Sequence, residues 1–207
     1  MCIRDSRDAD VAGKRLDMQR VADMLEGVDL VIAHNAGFDR PFCEARCALF
    51  QDMAWACSVA DLDWKAQGRR SQKLESLAWD LGVFYDAHRA DMDCHALLAV
   101  LTAPLPKDPA RCAMSTLIAA SRQAAYRLSA TGAPFETKDR LKARGYRWNG
   151  EQRVWQTRLG SDAELETELQ WLRAQVYGVR QASVALEQTD ALVRYSSRSG
   201  TFSERSL

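Results

Sequence analysis

The sequence lacks several features that would place it in a broad class of protein at once. It has no apolar run of the roughly 18 or more residues that a membrane-spanning helix needs. Its first residues, MCIRDSRDAD, are charged and lack the apolar core of a secretory signal. It carries no net charge, because 28 lysines and arginines balance 28 aspartates and glutamates. These absences exclude a chain-wide electrostatic attraction to nucleic acid or to a membrane, and they predict a cytoplasmic protein with no membrane partner.

Cysteines are also few and irregularly placed. The six of them do not follow the dense, regular spacing of a disulfide framework, which favours a reducing cytosol. Cys43, Cys47, Cys57 and His34 leave a zinc site as an alternative, although they include no C-x-x-C pair. Because a free cysteine is often a small buried core residue, the core role is favoured.

The balance of charge differs between the two halves of the chain. Residues 1–104 carry 12 basic and 17 acidic side chains, net −5, whereas residues 105–207 carry 16 and 11, net +5. Pro104, Pro106 and Pro109 lie between the halves and disfavour regular structure there. The sequence therefore predicts a first domain over residues 1–103, a linker over 104–112, a smaller basic α+β module over 113–195 and a flexible polar tail over 196–207.

The first domain shows the alternation of helices and strands that is typical of an α/β fold. Apolar spacing predicts a helix over residues 14–27, and the apolar run 30–33 predicts a strand buried on both faces. A second strand is predicted over residues 53–60, followed by a helix over 74–81 and another helix from His88 onward. Helices and strands at these distances predict an α/β unit.

Two short segments carry the residues best suited to chemistry. HNAGFD ends at Asp39, which follows the first predicted strand and opens a helix, at the end of a sheet where α/β proteins bind ligands. HRADMD places Asp93 five residues after His88. Alone, Asp39 would be interpreted as a helix cap and His88 as a surface residue. Together, two carboxylates that can hold divalent ions and a histidine that can act as a base favour phosphodiester hydrolysis.

These segments resemble two motifs of a known nuclease family. HNAGFDRPF is similar to the second motif, and HRADMDCHALL to the third, of the DEDDh 3′–5′ exonucleases, the group of the DNA polymerase III epsilon subunit. WACSVADLDW and KLESLAWDLG also look like that group, so the resemblance covers about residues 8–102. It implies an RNase H-like fold that removes nucleotides from the 3′ end of DNA, with RNA as the alternative substrate, using two Mg²⁺ or Mn²⁺ ions.

The resemblance also implies roles for individual residues. Asp39 and Asp93 would be metal ligands, and His88 would be the general base. His34, Asn35 and Phe38 would lie near the terminal nucleotide. It further implies a proofreading or repair role, with a polymerase or repair protein as partner.

The chain departs from the family pattern at its beginning. The family's first motif is an apolar strand with an aspartate and a glutamate two residues apart, and here Asp8 and Asp10 lack the flanking valines and isoleucines of a buried strand. Asp39 and Asp93 supply half of the four carboxylates that would balance two divalent ions. We therefore expect an N-terminally truncated exonuclease domain, with MCIRDS as a foreign leader and with weak or no activity. The alternative is a non-catalytic nucleic-acid-binding protein that keeps the exonuclease fold.

The second half combines positive charge with aromatic side chains. Between Arg122 and Arg158 there are nine basic and three acidic residues, net +6. The sequence predicts a helix over residues 135–144, a hairpin at Asn149-Gly150 and a helix over 162–177. Lys138, Lys142, Arg144 and Arg147 are predicted to guide a single strand of nucleic acid. In the alternative, Phe135, Leu141, Trp148 and Trp155 simply pack the core of the module.

Overall fold

The computed structural model describes Ala9 and residues 12–207, so the Asp8 and Asp10 pair lies outside the described residues. The chain divides into two compact units between Ala120 and Ser121, later than the boundary that the prolines predict. Within this described part, no helix combines the length and the apolar character needed to cross a membrane.

The first unit alternates helices with short strands, in agreement with the predicted α/β class. Its elements are α1 (Met18–Leu25), β1 (Val31–Ala33), α2 (Ala36–Arg46), a 3-10 turn (Ala48–Gln51), β2 (Trp55–Cys57), α3 (Leu74–Trp79), α4 (Ala90–Thr102), β3 (Pro104–Leu105), β4 (Asp108–Cys112) and α5 (Ala113–Ser121).

Two parallel strands form the sheet that carries the motif residues. β1 pairs with β2, so that Ile32 lies opposite Ala56. All three residues of β2 are buried, whereas those of β1 are half-buried, so the prediction of a strand buried on both faces is wrong for β1. The physical reason is that β2 is the single strand paired with β1 among the described residues.

Helix α1 is shorter and more exposed than its apolar spacing predicts. It begins after Asp17, whose side chain accepts a hydrogen bond from the Arg20 backbone N–H. None of its residues is buried, and Leu16 and Met24 are 63% and 71% exposed. The predicted apolar face is therefore only partly covered, since Val21 and Leu25 are half-buried and Met24 is exposed.

The core of the first unit lies around α4. Ala96, Val100 and Leu101 form the buried side of this helix and pack in one cluster with Leu77 of α3. The predicted linker over residues 104–112 is instead the antiparallel hairpin of β3 and β4. Helix α5 then adds Ala113 and Leu117 to the same core, which is why the unit extends to Ala120.

The second unit is built on a five-stranded antiparallel sheet. Its elements are β5 (Ala125–Ala130), a 3-10 turn (Phe135–Thr137), α6 (Lys138–Ala143), β6 (Arg147–Asn149), β7 (Val154–Leu159), α7 (Asp162–Leu172), a π-helical turn (Arg173–Tyr177), β8 (Ser183–Thr189) and β9 (Thr201–Ser206). The strand order is β6-β7-β5-β8-β9. Leu128, Leu141, Leu172 and Val184 are fully buried in the core that the helices and the sheet share.

The end of the chain is a strand rather than a flexible tail. β9 pairs with β8 along its whole length, and the Leu207 N–H donates to the Ala182 carbonyl oxygen. Every residue of β9 is exposed, so the strand is held by backbone hydrogen bonds and not by apolar burial. A prediction that relies on alternating apolar residues therefore misses strand β9.

The hairpin predicted at Asn149-Gly150 is present with a longer loop. Asn149 pairs with Val154, which leaves residues 150–153 in the turn. The Asn149 side-chain oxygen accepts hydrogen bonds from the backbone N–H groups of Glu151 and Gln152. This Asx-type turn places Trp148 directly across from Trp155.

Candidate active site

The loop between β1 and α2 begins the candidate site. Asn35 has φ 82°, in the left-handed region, which turns the chain sharply from the strand into the helix. The Ala36 N–H at the helix start donates to Cys57 Sγ on the neighbouring strand, at 3.4 Å. The end of β1 is thereby fixed against the end of β2, and the residues of HNAGFD project from that edge of the sheet.

Asp39 lies in the first turn of α2, where an acidic side chain is favoured by the helix dipole. Its carboxylate is half-buried, and this burial raises its pKa. Phe38 and Phe42, on the same helix, are 41% and 63% exposed, with ring centroids 5.2 Å apart. Helix α2 thus presents an acid next to an exposed aromatic pair.

His34, at the end of β1, is half-buried and contacts the neighbouring strand rather than solvent alone. Its Nδ1 lies 2.7 Å from the hydroxyl oxygen of Ser58, which follows β2. Burial lowers the pKa of His34, and the negative charge of Asp93 acts in the opposite direction. Asp93 therefore lies close enough to His34 for its negative charge to affect the pKa of His34.

Asp93 lies in the first turn of α4. Its Oδ1 accepts a long hydrogen bond, 3.4 Å, from the His88 backbone N–H. Its Oδ2 is buried and has no hydrogen-bond donor among the described residues. The pKa of nearby Tyr85 is raised to about 12, chiefly by burial and then by the Asp93 charge. A buried carboxylate oxygen without a partner is costly, and a bound cation would offset that cost.

Cys94 connects the two motifs in space. The pKa of its thiol is raised by burial, then by the charge of Asp93 and then by that of Asp39. Both carboxylates therefore lie close to the start of α4. The sequence reasoning missed this cysteine, although its position directly after Asp93 could have indicated it.

His88 takes a strained backbone conformation beside these carboxylates. Its φ of 76° is unusual for a residue other than glycine, and its side chain is exposed. A strained backbone conformation persists only where the surrounding structure stabilises it, and such conformations are concentrated at functional sites. The geometry holds the His88 backbone against Asp93 and leaves the imidazole open to solvent.

The candidate site offers two carboxylates to a divalent ion. Asp39 and Asp93 offer carboxylate oxygens, the ligands that Mg²⁺ and Mn²⁺ prefer, and the unpaired Oδ2 of Asp93 has the right chemistry. However, no three metal-ligating side chains come together anywhere among the described residues. A complete two-ion site is therefore not formed by the described part of the chain.

The cysteine and histidine group considered for zinc does not converge either. Cys57 Sγ accepts hydrogen bonds from the Ala36 and Ala60 backbone N–H groups, and His34 contacts Ser58. Cys47 is buried, as the core interpretation requires. These contacts give the sulfur of Cys57 a local structural role.

The four basic residues predicted to guide a strand are divided by the structure. Arg144 forms a two-pronged ion pair with Glu168, at 3.1 and 3.0 Å, and lies over the Trp171 ring. Lys138 and Lys142 lie on α6, and Arg147 is exposed on β6, one residue before Trp148 and hence on the other face of the sheet. Arg144 is therefore held by Glu168 and Trp171, whereas Lys138 and Arg147 have no carboxylate partner among the described residues.

Comparison with known families supports the nuclease interpretation of the first unit. Residues 6–101 match a family model described as exonuclease. Domains of this family generally use divalent metals. No curated protein and no solved structure matches the chain. The family match therefore supports a nuclease hydrolase over this segment, with nucleic acid as the implied partner.

Proposed function

We propose that the first unit is a 3′–5′ exonuclease domain acting on DNA, related to the polymerase III epsilon group, with Asp39, His88 and Asp93 at its centre. One observation supports this most: residues 6–101, which match an exonuclease family model, contain both motifs. Within them, Asp39 and Asp93 each lie in the first turn of a helix, and the His88 backbone N–H donates to Asp93 Oδ1.

The residues suggest how the chemistry is divided among them. His88, exposed beside Asp93, takes a proton from the attacking water as that water's oxygen bonds to the terminal phosphorus. The bond to the neighbouring 3′ oxygen breaks, and that oxygen regains a proton from solvent. Phe38 and Phe42 offer a surface on which the terminal base stacks. A divalent ion held by Asp39 and Asp93 would stabilise the charge that develops on the phosphate.

Activity of this chain is expected to be weak. Two carboxylates neutralise only part of the charge of two divalent ions, which repel each other strongly when about 4 Å apart. The absence of a cluster of three ligands in the described part of the chain is the observation behind this expectation.

The test is the shortening of single-stranded DNA by the full chain in Mn²⁺. Two forms of one oligonucleotide are used, labelled at the 5′ or at the 3′ end. We expect a ladder from the 5′-labelled strand and early release of a mononucleotide from the 3′-labelled strand. His88→Ala should slow the reaction by about 10²–10⁴-fold, the usual contribution of a general base.

Asp91→Asn is the matched control for Asp93→Asn. Asp91 lies on the same first helical turn, but it is exposed and pairs with Arg89 at 3.6 Å. We expect Asp93→Asn and Asp39→Asn to abolish shortening and Asp91→Asn to leave it intact. Digestion from the 5′ end, or digestion that Asp93→Asn does not change, would contradict the proposal.

A non-catalytic nucleic-acid-binding protein is the second candidate, favoured by the same shortage of ligands among the described residues. The two candidates are separated by the wild-type chain alone. DNA that is bound but never shortened in Mg²⁺ or Mn²⁺ would replace the exonuclease with the binding protein.

A further inference from the structure

The second unit contains a pocket that the exonuclease proposal does not use. The turn before α6, α6 itself and the β6–β7 hairpin enclose about 260 Å³. Phe135, Trp148 and Trp155 line it together with Lys138 and Arg153. This volume is slightly below the about 300 Å³ at which pockets for drug-sized ligands begin. The pocket therefore suits a single planar ring system.

The aromatic side chains of this pocket are open to solvent. Phe135 is 74% exposed and Trp148 is 52% exposed, so the alternative in which these rings pack the core is wrong for both. Leu141, by contrast, is fully buried as predicted. Trp155, across the hairpin from Trp148, supports it at a ring distance of 5.6 Å. Large aromatic rings left exposed together usually mark a binding surface.

The charged groups of the pocket indicate the charge of its ligand. Lys138 Nζ lies 4.1 Å from the centre of the Phe135 ring, and Arg153 is exposed on the hairpin turn with φ 51°. No acidic side chain lines the pocket, and among the described residues neither cation has a carboxylate partner within 4.0 Å. Arg127 and Arg144 of the same unit are both paired with glutamates. The pocket therefore favours an anionic ligand and repels a cationic one.

We propose that this pocket binds a nucleotide: the base stacks on Trp148 and Phe135, and Lys138 and Arg153 hold the adjoining phosphate. A planar ring and a phosphate on one small molecule match both features of the pocket. An acidic peptide would satisfy the cations but would offer no ring to stack. A trimethylated lysine would suit the aromatic rings, but the two cations would repel it. The nucleotide is either one unit of a single strand or a free mononucleotide.

Binding of the full chain to oligo(dT), followed by fluorescence anisotropy in EDTA, tests the proposal. EDTA prevents hydrolysis, and all varied residues lie in the second unit, so the result is independent of the exonuclease proposal. Trp148→Ala and Phe135→Ala should each weaken binding about 5- to 150-fold, the range for one stacked base. Lys138→Ala should also make the salt slope shallower by about 0.7, as expected for one phosphate contact on a single strand.

Two residues on the opposite edge of the same sheet provide matched controls. Phe202, on β9, is 66% exposed, and Phe202→Ala removes an aromatic ring outside the pocket. Arg205→Ala, also on β9, removes the same charge as Lys138→Ala. Both controls should bind as the wild type does. Because Phe135 and Trp148 are exposed, their variants should keep the wild-type circular dichroism and melting temperature.

A second arm separates the two sources of the nucleotide. Thymidine monophosphate is titrated while the intrinsic tryptophan fluorescence is followed, in the wild type and in Phe135→Ala. Quenching that Phe135→Ala reduces would assign the pocket to a free nucleotide. Strand binding alone, lost in the pocket variants, would assign it to a nucleic acid. If neither ligand binds, or if Phe202→Ala weakens binding as much as Trp148→Ala does, the proposal is wrong and a protein ligand becomes the better explanation.

Discussion

The two units organise their polar and apolar residues in opposite ways. In the first unit one candidate catalytic group, Asp93, has a buried carboxylate oxygen without a partner among the described residues, and α1 has no buried residue. In the second unit the core is closed between a five-stranded sheet and its helices, and the exposed groups are aromatic rings and unpaired cations. The comparison teaches that a buried carboxylate oxygen without a partner, as at Asp93, favours a site for a cation. Exposed rings with free cations indicate a site that requires a planar anion.

The largest expected effect is a loss of stability when a core side chain of the second unit is truncated. Leu128 is fully buried in the second core, so Leu128→Ala should lower the free energy of unfolding of that unit by about 2–5 kcal/mol. Met24→Ala, on exposed α1, should change stability by no more than about 0.5 kcal/mol. Urea unfolding followed by circular dichroism measures both. A large loss of stability in Met24→Ala would show that α1 is covered in solution. It would contradict the expected difference between the two units.

A smaller loss is expected from breaking the ion pair between Arg144 and Glu168. Arg144→Ala leaves the nearly buried Glu168 carboxylate without its partner, so we expect a loss of about 1–3 kcal/mol in the free energy of unfolding. Lys142→Ala, two residues earlier and exposed, should cost far less. A double-mutant cycle with Glu168→Ala isolates the pair. Additive losses would mean that the two side chains do not interact.

The sequence predicted features with a strong local signal and missed those that depend on pairing between distant segments. The apolar side of α4, the hairpin at Asn149 and the start of α7 at Asp162 follow from spacing and turn chemistry. The strand β9 has no buried side chain, so no hydrophobic pattern could reveal it. The ion pair of Arg144 with Glu168 joins residues 24 positions apart, which composition cannot show. Because ion pairs between distant residues cannot be read from composition, the net charge of the second half overstated how many basic side chains are unpaired.

The sequence predicted which residues form the motifs and which helices carry Asp39 and Asp93. It did not predict how deeply these side chains are buried or what they contact. Asp39 and Asp93 lie at helix starts as expected. The burial of Asp93 Oδ2 and the contact of His34 with Ser58 depend on how β1, β2 and α4 pack together, which one sequence does not specify. In the second unit, the exposure of Phe135 and Trp148 likewise depends on how the turn before α6 and the β6–β7 hairpin fold, which the residue types alone do not specify.

The smallest expected effect is a gain in stability at Tyr146. This residue is buried, and its hydroxyl lacks a hydrogen-bond partner in geometric range among the described residues. Tyr146→Phe removes an unsatisfied polar group, so we expect a gain of up to about 1 kcal/mol in the free energy of unfolding near pH 7.

The same residue should contribute to instability in alkali. Burial raises the pKa of Tyr146 strongly, with the Glu168 charge acting in the same direction, and burial raises that of Tyr177 to about 12. Because the unfolded chain releases these protons first, stability should fall as the pH rises above about 10, the ordinary tyrosine pKa. Tyr146→Phe should lessen that fall in a series of urea melts. An unchanged slope would mean that the hydroxyl is solvated.

The most direct test of the central claim is Mn²⁺ binding by the full chain, measured by electron paramagnetic resonance of free Mn²⁺ in a double-mutant cycle. If Asp39 and Asp93 hold one ion together, Asp39→Asn and Asp93→Asn should each weaken binding nearly as much as the double variant does. Asp91→Asn should have little effect, since Asp91 is exposed and paired with Arg89. Independent, additive losses, or binding that neither substitution changes, would show that the two carboxylates do not share a site.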